Sequence, residues 1–555
     1  MLQLSEINNA YVFIRTKDEK KIQRVNRLTS GLKFMQLDSS NQENYINGIF
    51  YRNIYPAGNN TFYGIEKVND LGDYDLGAFQ FSGTHKLNNH FDSIISYCFF
   101  QENNFIAGTD YLSIFNHFYF YDNDTFICSN NLFIVAKLCD ESISEEAIFE
   151  TLFFRFPYRN ITFFKSIKSL NPFQQLCFNE EKGLCISNSV TYCDLMLEDN
   201  VDISTAIESF FSNLKNPENL PAALSFSGGS DSTALLAILK NRNIDCQLAS
   251  FKGHNNWDTH RIKKLSEKLK CSFIYVDPTY AVFSEDNELQ YTFLTNGNHT
   301  DYKFFDFYSR LPEKYILFDG YSMMLGDMSD ATLYPPFKDV LQGLPIDLVF
   351  EKYFAGFDPL FLKRMKDYLI CYYEDRFLNI NTREGLHNMQ QYCVEGVMSK
   401  VYAGVLKCPL YFGHQNVSFY LSRKYISLIE KNGYGISKTC SGRDDYQGYF
   451  YTRKPLSEIA HKMNKMVYEL KLDQGFSFKD IHENTPFKFL KKKMKTIDRK
   501  VFEIQHRKVQ LNFQKNELDL NDYDFVKQKS ELNKYAFDGL KLLRYVSNVN
   551  EKIGN

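Results

Sequence analysis

Several things are scarce in this sequence, and each scarcity removes a class of function. No run of about 18 apolar residues occurs, so a membrane-crossing helix is not expected. The first twenty residues, MLQLSEINNAYVFIRTKDEK, lack the basic start and unbroken apolar stretch of a signal peptide. The twelve cysteines are scattered from Cys98 to Cys440 without a CxxC pair. That spacing argues against both a zinc site and a disulfide framework. A formal net charge of −3 exerts no overall pull on nucleic acid or an anionic membrane. Prolines number only 14, and there is neither an internal repeat nor a low-complexity tract. The expectation is a reduced, cytoplasmic enzyme or binding protein with no nucleic-acid or membrane partner.

What is present is apolar and aromatic. The 555 residues include 51 Phe and 37 Tyr, enough for large cores, and the length calls for two or three domains. Across residues 1–140, short β-forming runs (AYVFI, FYGI, HFYFY) alternate with the turn clusters PAGNN, NHFD and YDND. This predicts an antiparallel, sheet-rich domain. SISEEAIFETLFF (142–154) reads as a helix with a capping serine and early acids, and FFKSIKSLNPFQQLCF returns to strand and turn.

From about residue 201 the pattern changes. AALSFSGG leads into DSTALLAILKNRN, and CQLASFKG into WDTHRIKKLSEKLK; SFIYVDP and KYILFDG follow. Strands alternating with helices of ten or more residues predict a parallel α/β sheet. Residues 340–470 read as mainly helical, including HNMQQYCVEGVMSKVYAGVL and KPLSEIAHKMNKMVYEL. The basic run FKFLKKKMKTIDRK (487–500) reads as a solvated helix face.

The chemistry concentrates in LSFSGGSDSTALL (224–236). An apolar strand runs into Ser-Gly-Gly-Ser-Asp-Ser and then into an apolar helix, the place where α/β sheets bind ligands. Gly228 and Gly229 let the backbone approach an anion. Ser227, Ser230 and Ser232 supply hydroxyls, and the helix start supplies N–H groups. Neither the Walker A pattern nor GxGxxG is present. Asp231 inside a phosphate loop makes sense as a Mg²⁺ ligand against a polyphosphate. The plainer alternative is an ordinary strand–turn–helix built from small residues.

SGGxDS after a strand resembles the PP-loop of ATP pyrophosphatases. Over roughly residues 110–470 the chain resembles the class B asparagine synthetases and their relatives. The segments that carry the likeness are FYFYDNDTFICSNNLFIVAKLCD, SISEEAIFETLFFRFPYRNITFFKSIKSLNPFQQLCF, SFKGHNNWDTHRIKKLSEKLKCSFIYV, KCPLYFGHQNVSFYLSR and YTRKPLSEIA. The resemblance implies an α/β protein in three parts. Residues 1–200 form a glutaminase-like, Ntn-hydrolase-like antiparallel β-sandwich. Residues 201–470 form a PP-loop domain, a parallel sheet flanked by helices. Residues 471–555 form a helical extension on that second domain.

It further implies ATP and Mg²⁺ as cofactors. Ser227, Gly228, Gly229, Ser230, Asp231 and Ser232 would hold the phosphates, with Gly320 beside them. Ser225, Phe251 and Leu317 would line the adenine pocket, largely through backbone. Lys454 would stabilise charge on the reacting acyl group, unless it is merely an exposed lysine at a helix start.

Three departures from the family pattern shape the functional expectation. The family's glutaminases need a cysteine directly after the initiator methionine, and here Leu2 stands there, with Cys98 the first cysteine. Glutamine hydrolysis in the family's manner is therefore not expected. Phe318-Asp319-Gly320 replaces the synthetases' Gly-Glu-Gly. Asp319 is a candidate base toward an amine, or it caps a turn. Ser322 falls where the family has its second metal-binding aspartate, so Asp319 or Asp327 would have to serve.

The leading expectation is an ATP-dependent, AMP-forming amide ligase. It would use an amine carried by its own substrates, in the manner of β-lactam synthetases and lasso-peptide cyclases. SELNKYAFDGLKLLRYVSNVNEK looks like the final helix of the cyclases. A small-molecule or peptide carboxylate is the expected substrate, with a precursor peptide or biosynthetic protein as a candidate partner. Two other readings remain open: an ammonia-dependent amidotransferase and a non-catalytic ATP-binding scaffold.

Overall fold

A computed structural model describes residues 11–16, 18–24 apart from 22, 35–36, 47–49, 54–56, 62–68, 94–110 apart from 102–103, and 112–188 apart from 173 and 180. It further describes 202–250 apart from 217, 257–276, 285–297, 302–320, 334–432 apart from 380–381, 453–483 apart from 473–474, 523–526 and 532–552.

The aromatic runs of the first part become strands because their alternating side chains can bury on two faces at once. In chain order these are β1 (Val12–Thr16), β2 (Met35–Gln36), β3 (Asn47–Ile49), β4 (Ile54–Pro56), β5 (Phe62–Val68) and β6 (Ile94–Gln101). β7 (Asn104–Gly108), β8 (Phe118–Tyr121), β9 (Thr125–Ser129), β10 (Lys168–Ser169), β11 (Gln174–Asn179) and β12 (Gly183–Asn188) follow. They form two antiparallel sheets, ordered β10-β8-β9-β1-β3-β2 and β12-β11-β7-β6-β5-β4.

Phe13 and Phe126 of the first sheet stack on Phe105 and Phe178 of the second, with ring centroids 4.3 and 4.2 Å apart. These pairs form the dry layer between the sheets, with Cys98 among them. Val12, Ile14 and Ile127 point the other way, into a larger core shared with the helices Leu132–Cys139 and Glu145–Phe154. Strands β1 and β9 are thus buried on both faces, which explains their largely apolar composition. Asn131 caps the first of these helices by accepting from the Phe133 and Ile134 N–H groups, and Ser144 caps the second.

The second part is built on β13 (Ala222–Ser225), β14 (Cys246–Ser250), β15 (Phe273–Tyr275), β16 (Ile316–Phe318) and β17 (Gln415–Val417). They lie parallel in the order β15-β14-β13-β16-β17. Leu224, Leu248, Ile316 and Phe318 face one helical layer, which includes Ile203–Asn213, Ser230–Asn241 and Lys454–Met463. Ala223, Ala249 and Leu317 face another, which includes Tyr291, Phe305 and Tyr308.

Two long helical predictions are modified by packing. Residues 387–406 are not a uniform α-helix, because Cys393–Tyr402 is wound as a π-helix. Gly396 sits in this wide stretch, and a Cβ there would lie 2.5 Å from the Phe156 ring of the first part. KPLSEIAHKMNKMVYEL breaks into Lys454–Met463 and Lys465–Glu469, because Asn464 turns extended and caps the second piece through the Val467 N–H. The final helix, Lys534–Lys552, packs Leu540, Leu543 and Val546 into the same core as Leu152, Leu289 and Phe293. Asn550 donates to the Glu141 carbonyl, so this helix touches the first part of the chain as well as the second. The basic run 487–500 lies outside the described residues.

Candidate nucleotide site

β13 and β16 are neighbours in the sheet, but the chain leaves them in opposite directions across it. The crevice at their carboxyl ends is the switch point where open parallel sheets bind ligands. The Ser227–Ser232 loop opens there. Phe226 N–H still pairs with the Ala249 carbonyl at 2.8 Å, and the chain then turns sharply through Gly228. Gly228 has φ +75°, a left-handed conformation that costs glycine nothing and a side-chain-bearing residue about 1 kcal/mol or more.

Gly229 is the cap residue of the helix Ser230–Asn241, and no side chain caps that helix. Its first turn therefore presents backbone donors toward the crevice, reinforced by the helix dipole. The loop is held by its own hydroxyls. Ser227 Oγ accepts from Gly229 N–H at 3.2 Å and lies 3.3 Å from Ser232 Oγ. Ser230 Oγ donates to Asp231 Oδ2 at 3.3 Å. From the segment after β17, the Tyr420 hydroxyl donates to the Asp231 carbonyl at 2.8 Å.

Gly320 closes the crevice from the β16 side. A Cβ there would stand 2.9 Å from Ser232 N and 3.2 Å from its Cα, so the two backbones are in contact. Among the described residues, the Thr233 and Ser250 hydroxyls are buried without a hydrogen-bond partner. One lies in the first turn of the helix and the other ends β14. Buried hydroxyls without partners are uncommon, and two at one sheet end fit a polar ligand.

Asp319 is fully buried directly after β16. Its N–H donates to the Val417 carbonyl at 2.9 Å, and its carboxylate accepts from the Tyr308 hydroxyl at 3.3 Å. Burial pushes the carboxyl up to about 6, opposed by Ser225, Tyr308 and Asn416. Ser225 Oγ is close enough to favour the ionised form, yet it misses hydrogen-bond geometry. Of the two roles expected for Asp319, orienting neighbours suits this setting directly.

Lys454 is exposed at the start of Lys454–Met463. That helix lies along Ser230–Asn241, and their carboxyl ends are joined by Asn241 Nδ2 donating to the Met463 carbonyl at 3.0 Å. With the carboxyl ends together, the amino ends also share one end of the pair, so Lys454 stands on the side of the Ser227–Ser232 loop. Leu317 pairs through its backbone with Ala223 and Asn416, and its side chain is core. Phe251, Ser322, Asp327 and Leu2 lie outside the described residues. Tyr308, Asn416 and Tyr420 belong to the site but carry no sequence motif; only the docking of their elements brings them there.

No family model matches the chain, and no curated protein matches it. Among solved structures, the chain is similar to a glutamine phosphoribosylpyrophosphate amidotransferase from B. subtilis complexed with ADP and GMP. That alignment covers 50% of this chain and 86% of the other, at 9% identity and a TM-score of 0.18. At that score the likeness identifies neither fold nor activity. The architecture comprises two antiparallel sheets face to face and a five-stranded parallel sheet flanked by helices.

Proposed function

We propose that this protein is an ATP-dependent amide ligase that activates a carboxylate as its adenylate. The observation that carries the reading is the Ser227–Ser232 loop, uncapped and glycine-hinged, at the β13–β16 switch point. ATP would supply the activation: the substrate carboxylate displaces pyrophosphate at the α-phosphorus, and an amine then displaces AMP.

The chain's own residues have distinct tasks in this scheme. Ser227, Ser230, Ser232 and the first-turn N–H groups bind the phosphates. The unpartnered Thr233 and Ser250 hydroxyls provide further polar contacts. Asp231 would hold Mg²⁺, which would balance phosphate charge, since Mg²⁺ commonly takes one carboxylate, phosphate oxygens and water. Lys454 approaches from its helix start and stabilises negative charge on the acyl group. Asp319 sets the hydroxyl of Tyr308 and the floor under Ser225. The β-sandwich acts as a scaffold, and the amine comes from the substrate rather than from glutamine.

A second reading, nucleotide binding without turnover, is favoured by the burial of Asp319 away from bulk solvent. One experiment separates the two. Purified protein with Mg²⁺ and ATP is assayed for AMP and pyrophosphate against a panel of carboxylates and host-cell extract, with Asp231→Asn as control. AMP release that requires both substrate and Asp231 supports the ligase. ATP binding with no AMP from any source replaces it with the scaffold.

A further inference from the structure

Two cysteines face each other across a hairpin of the β-sandwich. β11 and β12 are antiparallel, and their register sets Cys177 directly opposite Cys185. Residues directly opposite in such a pair project to the same face of the sheet. Leu176 and Phe178, on either side of Cys177, point into the layer between the sheets. Strand alternation therefore turns Cys177 to the outer face, and Cys185 with it. Cys177 is half-buried, Cys185 is exposed, and both are free. No other described cysteine has a cysteine as its strand partner.

We propose that Cys177 and Cys185 form a reversible cross-strand disulfide when the protein meets a low-molecular-weight disulfide of the oxidised-glutathione type. Opposed Cα atoms in an antiparallel pair are about 4.5 or 5.5 Å apart, according to whether the pair is hydrogen-bonded. Both values fall inside the roughly 4.4–6.8 Å that a disulfide spans. Opposed Cβ atoms start about 4.5–5.5 Å apart, and a disulfide takes about 3.5–4.5 Å, so the strands draw together by about 1 Å. β12 can supply that movement. It stands at the end of the strand order of its sheet and, among the described residues, pairs only with β11.

The two thiols have different tasks. The exposed Cys185 meets the oxidant: its thiolate attacks one sulfur of the small disulfide, whose S–S bond breaks. Cys185 is left as a mixed disulfide, and one small thiolate departs. The Cys177 thiolate then attacks the Cys185 sulfur and expels the second small thiolate. Over both steps the protein loses two electrons and two protons, and the small disulfide takes them up as two thiols. Burial pushes the Cys177 thiol up, and the neighbouring Cys185 adds to the shift. That suits Cys177 to the second, intramolecular attack, where proximity offsets a low thiolate fraction.

The test uses the full chain, equilibrated in glutathione buffers of rising oxidised-to-reduced ratio. Samples are quenched with acid, alkylated in denaturant with N-ethylmaleimide, digested with trypsin and read by mass spectrometry. Cleavage after Lys182 separates the two cysteines, so a bond between them appears as two linked peptides that dithiothreitol parts. Cys193 shares the tryptic peptide of Cys185, and fragment ions tell the two apart. The expected result is a Cys177–Cys185 link that saturates as the buffer becomes oxidising. In Cys177→Ser, Cys185 should instead carry glutathione, and in Cys185→Ser, Cys177 should remain alkylated throughout. A glutathione adduct that persists on Cys185 of the wild type, a link from Cys185 to another cysteine, or two unmodified thiols in the most oxidising buffer overturns the proposal. The wild-type digest alone decides between these outcomes, whatever the folding of the variants.

Discussion

Gly320 and Ser232 are in backbone contact: a Cβ on the first would stand 2.9 Å from the amide nitrogen of the second. The end of β16 therefore sets the position of the first turn of Ser230–Asn241. Gly320→Ala has no flexible side chain to push aside, so the strand end or the loop must move. A stability loss of about 1–3 kcal/mol is expected, as for other overpacked sites. ATP affinity, measured by calorimetry, should fall with it. A variant of wild-type stability and affinity would show that the contact is slack.

Lys454→Ala tests the other side of the crevice. The side chain is exposed, so the unfolding free energy should stay within the range of ordinary surface substitutions, about ±0.5 kcal/mol. If Lys454 stabilises charge on the acyl group, AMP formation falls at least tenfold while ATP binding is preserved. A proportional loss of ATP binding would move Lys454 into the phosphate site instead.

Asp319 should leave a signature in the pH dependence of stability. Its folded value, about 6, lies above the ordinary 3.8, so the folded state binds this proton more tightly than the unfolded state. Its contribution is fully present below pH 3.8 and is lost as pH rises through about 6. The loss is on the order of 3 kcal/mol. Compared by denaturant unfolding, wild type should lose ground to Asp319→Asn between these limits and hold a constant offset above them. A pH-independent difference would mean that the carboxylate is hydrated.

Glu150 makes the same argument at the seam between the two parts. It is fully buried and accepts from Tyr158 N–H at 2.6 Å and from the Tyr368 and Tyr373 hydroxyls. Burial raises its carboxyl to about 7, against the pull of those donors and of Lys400. Tyr373→Phe removes one donor, which hurts the ionised form most. A loss of about 1–3 kcal/mol is expected at pH 8 and a smaller one at pH 5.5, measured by urea unfolding. Equal losses at both pH values would mean that Glu150 does not change protonation between them.

Much of the architecture was legible in the chain because it depends on neighbours in sequence. AYVFI, FYGI and HFYFY fall on β1, β5 and β8, and Ser144 starts a helix where its capping chemistry predicts one. The loop at 227–232 was legible for the same reason: a left-handed glycine and an uncapped helix start are local requirements. Tyr308 was not, since nothing in DFYSR distinguishes it from the other tyrosines until Tyr302–Ser309 docks on the sheet. The π-helical turn at Cys393–Tyr402 was hidden too, because it accompanies a ring from residue 156.

The amino-acid sequence by itself determined the strand and helix periods and the small-residue loop between them, since these follow from backbone sterics and side-chain alternation over a few residues. Tertiary structure alone decided that Asp319 is buried against Tyr308 and that Lys454 faces the loop end of its helix pair. Those outcomes depend on how helices far apart in the chain share the faces of one sheet. The burial and fields that tune each group exist only once those faces are covered.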